Sequence, residues 1–383
     1  MPDDAPLLLD VTRLIWRRWK GRHPTGVDRV CLAYLRHFGP SSQAVVQHKR
    51  FRRILGRKAS QELFALLEGP ANRFRAKLPF GTLRHLGRLN ESGRGRLYLN
   101  VGHTGLDSAG FRDWVAPSQV KPVYLVHDLI PITHPMFCRA GEADRHRERM
   151  RTILKTAVGV IGNSQATLGA LSEFARSEGE AQPPSLAAWL GTDTLHVPAV
   201  QTPERATFIT IGTIEARKNH LLLLDIWSRL IDEFGTAAPQ LLIVGQRGWE
   251  AEPVFDRLDR DEKLRGHVIE LNHCSDEGVA RNLLASRALL FPSFAEGYGL
   301  PLIEALGAGV PVIASDLPVF REIGCGIPNF LGPSDHSAWE DAIRDFTRQD
   351  SSARAAQLAR IKKFRAPDWQ VHFRRVEAWL QKL

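Results

Sequence analysis

Cysteine is scarce: Cys31, Cys138, Cys274 and Cys325 stand far apart in a chain of 383 residues, and no Cys-x-x-Cys occurs. That spacing excludes a zinc knuckle, a dithiol motif and a dense disulfide scaffold, and it reads as reduced thiols. No stretch approaches the roughly 18–20 apolar residues of a membrane span. The opening MPDDAPLLLD carries acids where a secretory leader needs a basic region, and its apolar run is too short for one. The expectation is a soluble, cytoplasmic protein. No repeat with a period of about 20–50 residues is evident, which argues against solenoids and propellers. What is present is ordinary for globular proteins: 43% hydrophobic and 24% charged residues, values that exclude a disordered or fibrous chain. At about 100–200 residues per domain, the length suggests two or three domains.

The charge is uneven. Lys and Arg total 51 against 42 Asp and Glu, a net +9. Residues 1–198 hold +12 of that and residues 199–383 hold −3. The densest part, Lys49–Arg96, has 13 basic residues against three acids. A second cluster, WRRWKGR at residues 16–22, interleaves cations with two tryptophans. Such asymmetry suggests halves with different partners, and nucleic acid, an anionic membrane or anionic substrates would each suit it. A generally basic, solvated surface is the plainer alternative.

Short apolar runs bounded by loops predict buried strands at 7–11, 44–47, 97–101, 123–126 and 158–161. In the second half they predict strands at 207–211, 240–244, 267–270, 288–291 and 310–314. Helical patterns fall between them at 27–38, 141–156, 165–176, 221–234, 253–264, 276–286 and 302–306. Alternation of this kind predicts parallel sheets covered by helices on both faces. Pro183, Pro184, Pro198 and Pro203 punctuate the middle, so the domain boundary is placed near residue 200. The class is α/β: two doubly wound, Rossmann-like domains facing across a cleft. Ligands of such sheets sit beyond the carboxyl ends of the strands, so the chemistry should lie in those loops.

Three loops of the second half stand out. GTIEARKNH, residues 212–220, follows the strand FITI and places Arg217 and Lys218 just before a helix. Adjacent cations there suit a diphosphate, helped by backbone N–H groups and the helix dipole; two solvated cations in a polar connection are the alternative. In FPSFAEGYGLPLIEALGAGVPVIASD, residues 291–316, Glu296 sits in a glycine-containing loop and Glu304 lies in the following helix. Both carboxylates could accept from sugar hydroxyls, although Glu304 also fits a plain helix-start glutamate. Paired carboxylates alone would also fit a glycosidase, which has no need of adjacent cations and a glycine-rich anion site. VGQRGW, residues 244–249, is a weaker candidate to line a nucleotide pocket, through Gly245 and Arg247.

The first half offers PTGVDRV (residues 24–30), with Gly26, Asp28 and Arg29; VHD (126–128), with His127 at a strand end; and GNSQAT (162–167), in which Ser164 reads first as a helix cap. An ordinary strand-end histidine is the alternative for His127, which could otherwise hydrogen-bond a sugar hydroxyl or a developing charge.

These residues resemble the retaining glycosyltransferases of family 4, with the two-Rossmann GT-B architecture. The family carries a Glu, seven residues and a second Glu within an E-G-F/Y-G-L-P…E-A…G-x-P-V-I/V-A-S pattern. Here it reads EGYGLPLIEALGAGVPVIAS, from Glu296 to Ser315. GTIEARKN is similar to the family's phosphate loop, and TGVDRV, VHD and NSQAT fit the first half. The resemblance implies domains at 1–200 (acceptor side) and 201–365 (donor side), with a helix at 366–383 crossing back to the first. It implies a nucleotide-sugar donor with Lys218 and Arg217 on the diphosphate. Gly212, Thr213 and Gly245 would stand nearby. Glu296 would lie on the sugar hydroxyls, with the backbone of Gly297, Tyr298, Gly299 and Leu300 on sugar and phosphate. Glu304 would hold the ribose, His127 would stand near the donor sugar, and Gly26 near donor phosphate and acceptor. Asp28, Arg29 and Ser164 would lie on the acceptor side. Family members often place an arginine where this chain has Thr213.

The implied chemistry needs no cofactor and no metal-binding Asp-x-Asp triplet, and gives glycosyl transfer with retention. GTIE-x-RKN and HDLIP look most like bacterial mannosyltransferases of surface polysaccharide assembly, which suggests GDP-mannose. The implied acceptor is a growing glycan, free or carried on a polyprenyl diphosphate lipid at an anionic inner leaflet. Rivals from other classes are a basic nucleic-acid-binding protein, for which no recognisable motif is present, and a catalytically silent scaffold of the same fold. A phosphorylase or epimerase is a further possibility within the enzymes.

Overall fold

The computed structural model describes residues 7–21, 25–48, 51–70, 74, 91–192, 200 and 203–383. Much of the Lys49–Arg96 segment, Arg22 of the WRRWKGR cluster, Pro24 and Pro198 therefore lie outside the described residues. The chain divides into two compact units. The first holds residues 1–132, 143–190 and 369–383, and the second holds 133–142 and 191–368.

The first unit is built on a sheet of strands β1 (Leu7–Asp10), β2 (Ser42–His48), β3 (Phe51–Ile54), β4 (Leu97–Asn100), β5 (Lys121–Val126), β6 (Gly159–Gly162) and β7 (Ser185–Ala187). Their order is β3-β2-β1-β4-β5-β6-β7, parallel except for the β2–β3 hairpin. The second unit has β8 (Thr207–Ile211), β9 (Gln240–Val244), β10 (Val268–Leu271), β11 (Leu289–Phe291), β12 (Val312–Ser315) and β13 (Asn329–Leu331), ordered β10-β9-β8-β11-β12-β13 and parallel throughout. Apolar runs such as LLL, FITI and VIA are buried at almost every position, as sheets covered on both faces require. Each unit has its own core. One packs around Tyr98, Phe111, Tyr124 and Ile153, the other around Phe208, Trp227, Trp339 and Phe346.

The order of the strands positions function. In each sheet the chain starts at an inner strand, winds outward one way, and then returns to wind outward the other way. The reversal falls between β1 and β4 in the first sheet and between β8 and β11 in the second. At such a switch point the loops leaving the two strands diverge to opposite faces and leave a crevice. In the second unit those loops are the Gly212–Asn219 and Pro292–Gly299 segments.

Two features of the organisation differ from the sequence expectation. The break between the units falls at Leu190–Gly191 rather than near residue 200, and residues 133–142 belong with the second unit. The latter is held there by aromatic contacts: Phe137 stacks on Phe294 at 5.2 Å, and Arg139 lies 5.0 Å over Trp249. The loop expected after β1 contains a helix, Thr12–Trp19.

The C-terminal helix Trp369–Leu380 packs in the first unit. Phe373 stacks on His37 at 4.0 Å and meets Tyr34 edge-on at 5.2 Å. The buried His372 joins the Tyr34 hydroxyl at 2.9 Å. Gly159 lacks a side chain because Trp379 stands where a Cβ would be, 2.5 Å from its ring. Truncating Phe373 to Ala is expected to cost about 3 kcal/mol, and Gly159→Ala about 1–3 kcal/mol by overpacking. Both should lower the urea midpoint of the transition that releases this helix. Wild-type midpoints for both variants would mean that the helix contributes nothing to the unit's stability.

Candidate active site

At the second switch point, the exit from β8 bends at Gly212 (φ 144°) and passes Glu215 into a 3-10 turn over Ala216–Lys218. Asn219 then takes a left-handed conformation (φ 57°), which asparagine tolerates better than most residues. Its side-chain amide donates to the carbonyls of Pro292 (3.2 Å) and Pro333 (2.8 Å), tying the turn to the loops after β11 and β13. The helix His220–Phe234 follows. From the other side, Gly299 at φ 108° turns the β11 loop into the helix Leu300–Gly307. A main-chain bond, Phe294 N–H to the Arg217 carbonyl at 2.8 Å, joins the two loops.

A four-residue charge cluster forms where they meet. Glu296 Oε1 accepts from Lys218 Nζ at 2.5 Å and from Ser293 Oγ at 2.8 Å. Its Oε2 lies 2.9 Å from Arg217 Nη1, which also donates to the Ala295 carbonyl at 2.8 Å. Arg217 Nη2 reaches Glu215 Oε1 at 2.6 Å. The ammonium of Lys218 also lies 4.7 Å over the Phe291 ring. Glu296, Lys218 and Glu215 are all nearly excluded from solvent.

Burial alone would push the Glu296 carboxyl up, but Arg217 and Lys218 beside it, with the bonds from Lys218 and Ser293, bring it down to about 2. Burial lowers Lys218, opposed by Glu296. Burial raises Glu215, opposed by Arg217 and Lys218. The cluster is thus two cations and two carboxylates that each hold the other charged. Chemically it is a pair of cations fixed in place by two carboxylates. Its carboxylate retains capacity, since a carboxylate offers about four lone-pair positions and three donors reach Glu296.

Sequence reasoning named Arg217, Lys218 and Glu296, and the fold brings these three together. It did not name Glu215, Ser293 or Asn219. The visible signal for Glu215 was an acid two residues before the cation pair. Glu304 stands half-buried in the helix Leu300–Gly307, while Tyr298 and Leu300 are buried. Gly245 has a packing reason: a Cβ there would sit 1.9 Å from the Gly212 carbonyl oxygen. Thr213 meets Gly248 in the same way, its methyl 2.6 Å from a Cβ placed there. Arg247, read as lining the pocket, is committed elsewhere, to Asp259 (2.6 Å) and Glu270 (2.7 Å). One Asp-x-Asp triplet does exist, Asp259-Arg260-Asp261, but Asp259 serves Arg247, and Asp261 pairs with Arg257 and caps a 3-10 turn. Among the described residues no His, Cys, Asp and Glu group could hold a metal ion.

In the first unit His127 is buried at the end of β5 and its Nε2 donates to the Val101 carbonyl at 2.7 Å. A carbonyl can only accept, so the neutral ring presents Nδ1 as an acceptor. His103, at φ 57°, donates in turn to Leu125 O at 2.7 Å, its ring 5.3 Å from that of His127. The two form a clasp across the ends of β4 and β5. Burial pushes His127 down to about 4 and lowers His103 well below its usual range.

Asp28 is buried within the capping box of the helix Gly26–Phe38. It accepts from Thr25 N–H (2.8 Å) and hydroxyl (2.7 Å) and pairs with Arg13 (2.7 Å) and Arg17 (2.8 Å). Gly26 and Arg29 are exposed on that helix. Ser164, fully buried, caps the helix Gln165–Ser177 by accepting from Thr167 N–H at 3.0 Å. The buried positions of Asp28 and Ser164 give both residues a helix-capping role.

Residues 193–363 match the family model described as Glycosyl transferases group 1. The serotype-specific mannosyltransferase WbdA of Escherichia coli is 30% identical over 229 residues, 52% of this chain and 26% of that protein. The O-antigen chain mannosyltransferase B of Escherichia coli is 34% identical over 157 residues, 40% of this chain and 41% of that protein. The chain therefore spans well under two thirds of either relative. The crystal structure of Anabaena HepE in complex with UDP has the same fold, with a TM-score of 0.65 at 14% identity over 98% of this chain and 99% of that one.

The depressed Glu296 carboxyl makes the cluster sensitive to acid. A carboxylate held below its ordinary 4.5 contributes stability that is fully present above that value and is lost as pH falls toward about 2. Glu296→Gln removes the charge, leaving Lys218 without its carboxylate and Arg217 with Glu215 alone, for which about 3–5 kcal/mol is expected at pH 7. The urea midpoint of the second unit should drop at pH 7, and the difference from wild type should close toward pH 2. An equal drop at both pH values would count against the ion pairs as its source.

Proposed function

From a chain whose second unit carries a glycosyl transferases group 1 domain, and whose fold is that of the GT-B glycosyltransferases, we propose that the protein is a retaining hexosyltransferase. It moves mannose from GDP-mannose to a growing glycan or a polyprenyl-diphosphate-linked acceptor in surface polysaccharide assembly. The observation that carries this reading is the Arg217–Lys218–Glu296 cluster at the β8/β11 switch point. There, fixed cations meet a glycine-bearing helix start, the combination a sugar diphosphate requires. The mannosyltransferase relatives support the choice of sugar.

In this mechanism Arg217 and Lys218 hold the donor's diphosphate. Negative charge grows on the leaving phosphate as the glycosidic bond breaks, so cations already in place favour the transition state over the ground state. Glu296 accepts a hydroxyl of the transferred sugar on its remaining lone pair, with backbone N–H groups of Gly297–Leu300 alongside. Glu304 takes the ribose. His127 meets the sugar with Nδ1, the atom its bond to Val101 leaves as acceptor. The acceptor attacks on the face the diphosphate leaves, and the departing phosphate takes its proton, so no carboxylate nucleophile and no metal is needed. The basic first half suits an acceptor or lipid surface that is itself anionic, which supports a position at the inner face of the membrane.

A thermal-shift panel of GDP, UDP, GDP-mannose and UDP-glucose tests the donor, since a ligand of the folded state raises its melting temperature. Stabilisation by GDP and GDP-mannose is expected; stabilisation by UDP compounds alone would reassign the base. Lys218→Ala should cut turnover about 100-fold or more, and near-normal turnover of that folded variant would remove Lys218 from the site. NMR of the product should show the donor's α configuration, and a β product would overturn retention.

A further inference from the structure

The WRRWKGR cluster has no part in the site described so far. Its helix, Thr12–Trp19, turns one side into the first unit: Thr12 and Leu14 are buried, while Arg13 and Arg17 reach Asp28 at 2.7 and 2.8 Å. Those two arginines, one turn apart, fasten the helix in a fixed rotation. The side turned outward is therefore not arbitrary. It carries Trp16 and Trp19, three residues apart, with 41% and 47% of their surface exposed. Lys20 is exposed just beyond them, and Arg18 is half-exposed. The helix contains no acidic residue.

An exposed tryptophan pair is unusual on a surface that meets only water. Tryptophan beside Lys and Arg is the composition that settles at a membrane–water interface, where the indole enters the headgroup layer and the cations meet anionic lipid. The charge is complementary at both scales: a local helix with only basic charges, on a first half that carries +12. We propose that the outward face of Thr12–Trp19, with Trp16, Trp19, Arg18 and Lys20, is the element that docks this protein on an anionic bilayer. This rests on the inner-leaflet reading above and names the residues responsible. The helix begins directly at the carboxyl end of β1, so docking through it would hold that end of the first sheet against the lipid surface.

Co-sedimentation with phosphatidylcholine vesicles, with and without 30% phosphatidylglycerol, tests this on the full chain. Wild type should bind the anionic vesicles, weaken with salt, and bind neutral ones poorly. Trp16→Ala/Trp19→Ala, checked for a native circular dichroism spectrum and melting temperature, should lose about tenfold or more in partitioning. Arg18→Glu or Lys20→Glu should each lose roughly fivefold or more. If wild type binds and the tryptophan variant binds equally well, the docking element lies elsewhere and the membrane reading survives. If wild type does not bind anionic vesicles, both fail. If the variant keeps vesicle binding but loses affinity for mannose oligosaccharides, the tryptophans face a glycan and the proposal is overturned.

Discussion

The ion cluster around Glu296 is the constraint on which the second unit's crevice depends. Taking a carboxylate and an ammonium out of water costs several kcal/mol each, and the attraction between them repays it only when the remaining hydrogen-bonding positions are also filled. Here all but one position on the carboxylate are filled, by Ser293 on Glu296, by the Ala295 carbonyl and Glu215 on Arg217, and by the Phe291 ring under Lys218. Apart from Phe291, the last residue of β11, each of those partners comes from one of the two loops that the strand order sends apart. Removing any one charge leaves another buried without compensation, so the loops are held to each other by electrostatics as much as by packing. A site of this kind is preorganised for an anion: its cations need not be gathered when negative charge develops.

The first unit has the same topology at its switch point but a different chemistry. Around β1 and β4 the buried polar residues form a network rather than an ion cluster. Asp10 accepts from Gln47 (2.6 Å), Tyr98 (2.8 Å) and Thr12 N–H (3.0 Å), and burial raises its carboxyl above the usual range against those bonds. In the neighbouring His103–His127 clasp burial favours the neutral rings. One sheet thus ends in a compact ion cluster and the other in an extended hydrogen-bonding network around Asp10 and Gln47. A fold alone does not dictate this difference; the residues at the strand ends do.

Much of the architecture was legible because fully buried parallel strands announce themselves. FITI and QLLIV at β8 and β9 have apolar residues on both faces and glycines at their exits, and their predicted limits match the observed ones. Edge strands are harder. FRRI, SLA and NFL are short, half-buried and partly polar, so β3, β7 and β13 carry no clear period. The helix Thr12–Trp19 carries a weak period for a related reason: TRLIWRRW buries only Thr12 and Leu14, Ile15 is half-buried, the Trp16 ring lies 5.3 Å from that of His48, and its other long side chains make ion pairs or face outward. At the site, adjacency in sequence revealed Arg217 with Lys218. The partnership of Glu215 with Arg217 is a short-range contact that spacing permits but does not specify. His103 gave no signal, because its role depends on a left-handed backbone and on β5 lying beside β4.

The charge asymmetry takes on a sharper meaning once partners are known. In the second unit the cations are largely spent within it: Arg247 on Asp259 and Glu270, Arg257 on Asp261, Arg344 on Glu340, Lys218 and Arg217 on Glu296. That is the pattern of a unit whose charges are balanced internally. In the first unit several arginines are similarly spent. Arg13 and Arg17 hold Asp28, Arg52 lies in the Gln47 network, Arg96 bonds Gln43, and Arg151 pairs with Glu178. Acids there are too few to answer the rest. A surplus on one unit raises its potential without adding to its stability, since self-repulsion opposes compactness. That surplus is what the proposed anionic partner would answer, whereas Arg217 and Lys218 already have carboxylate partners inside their own unit.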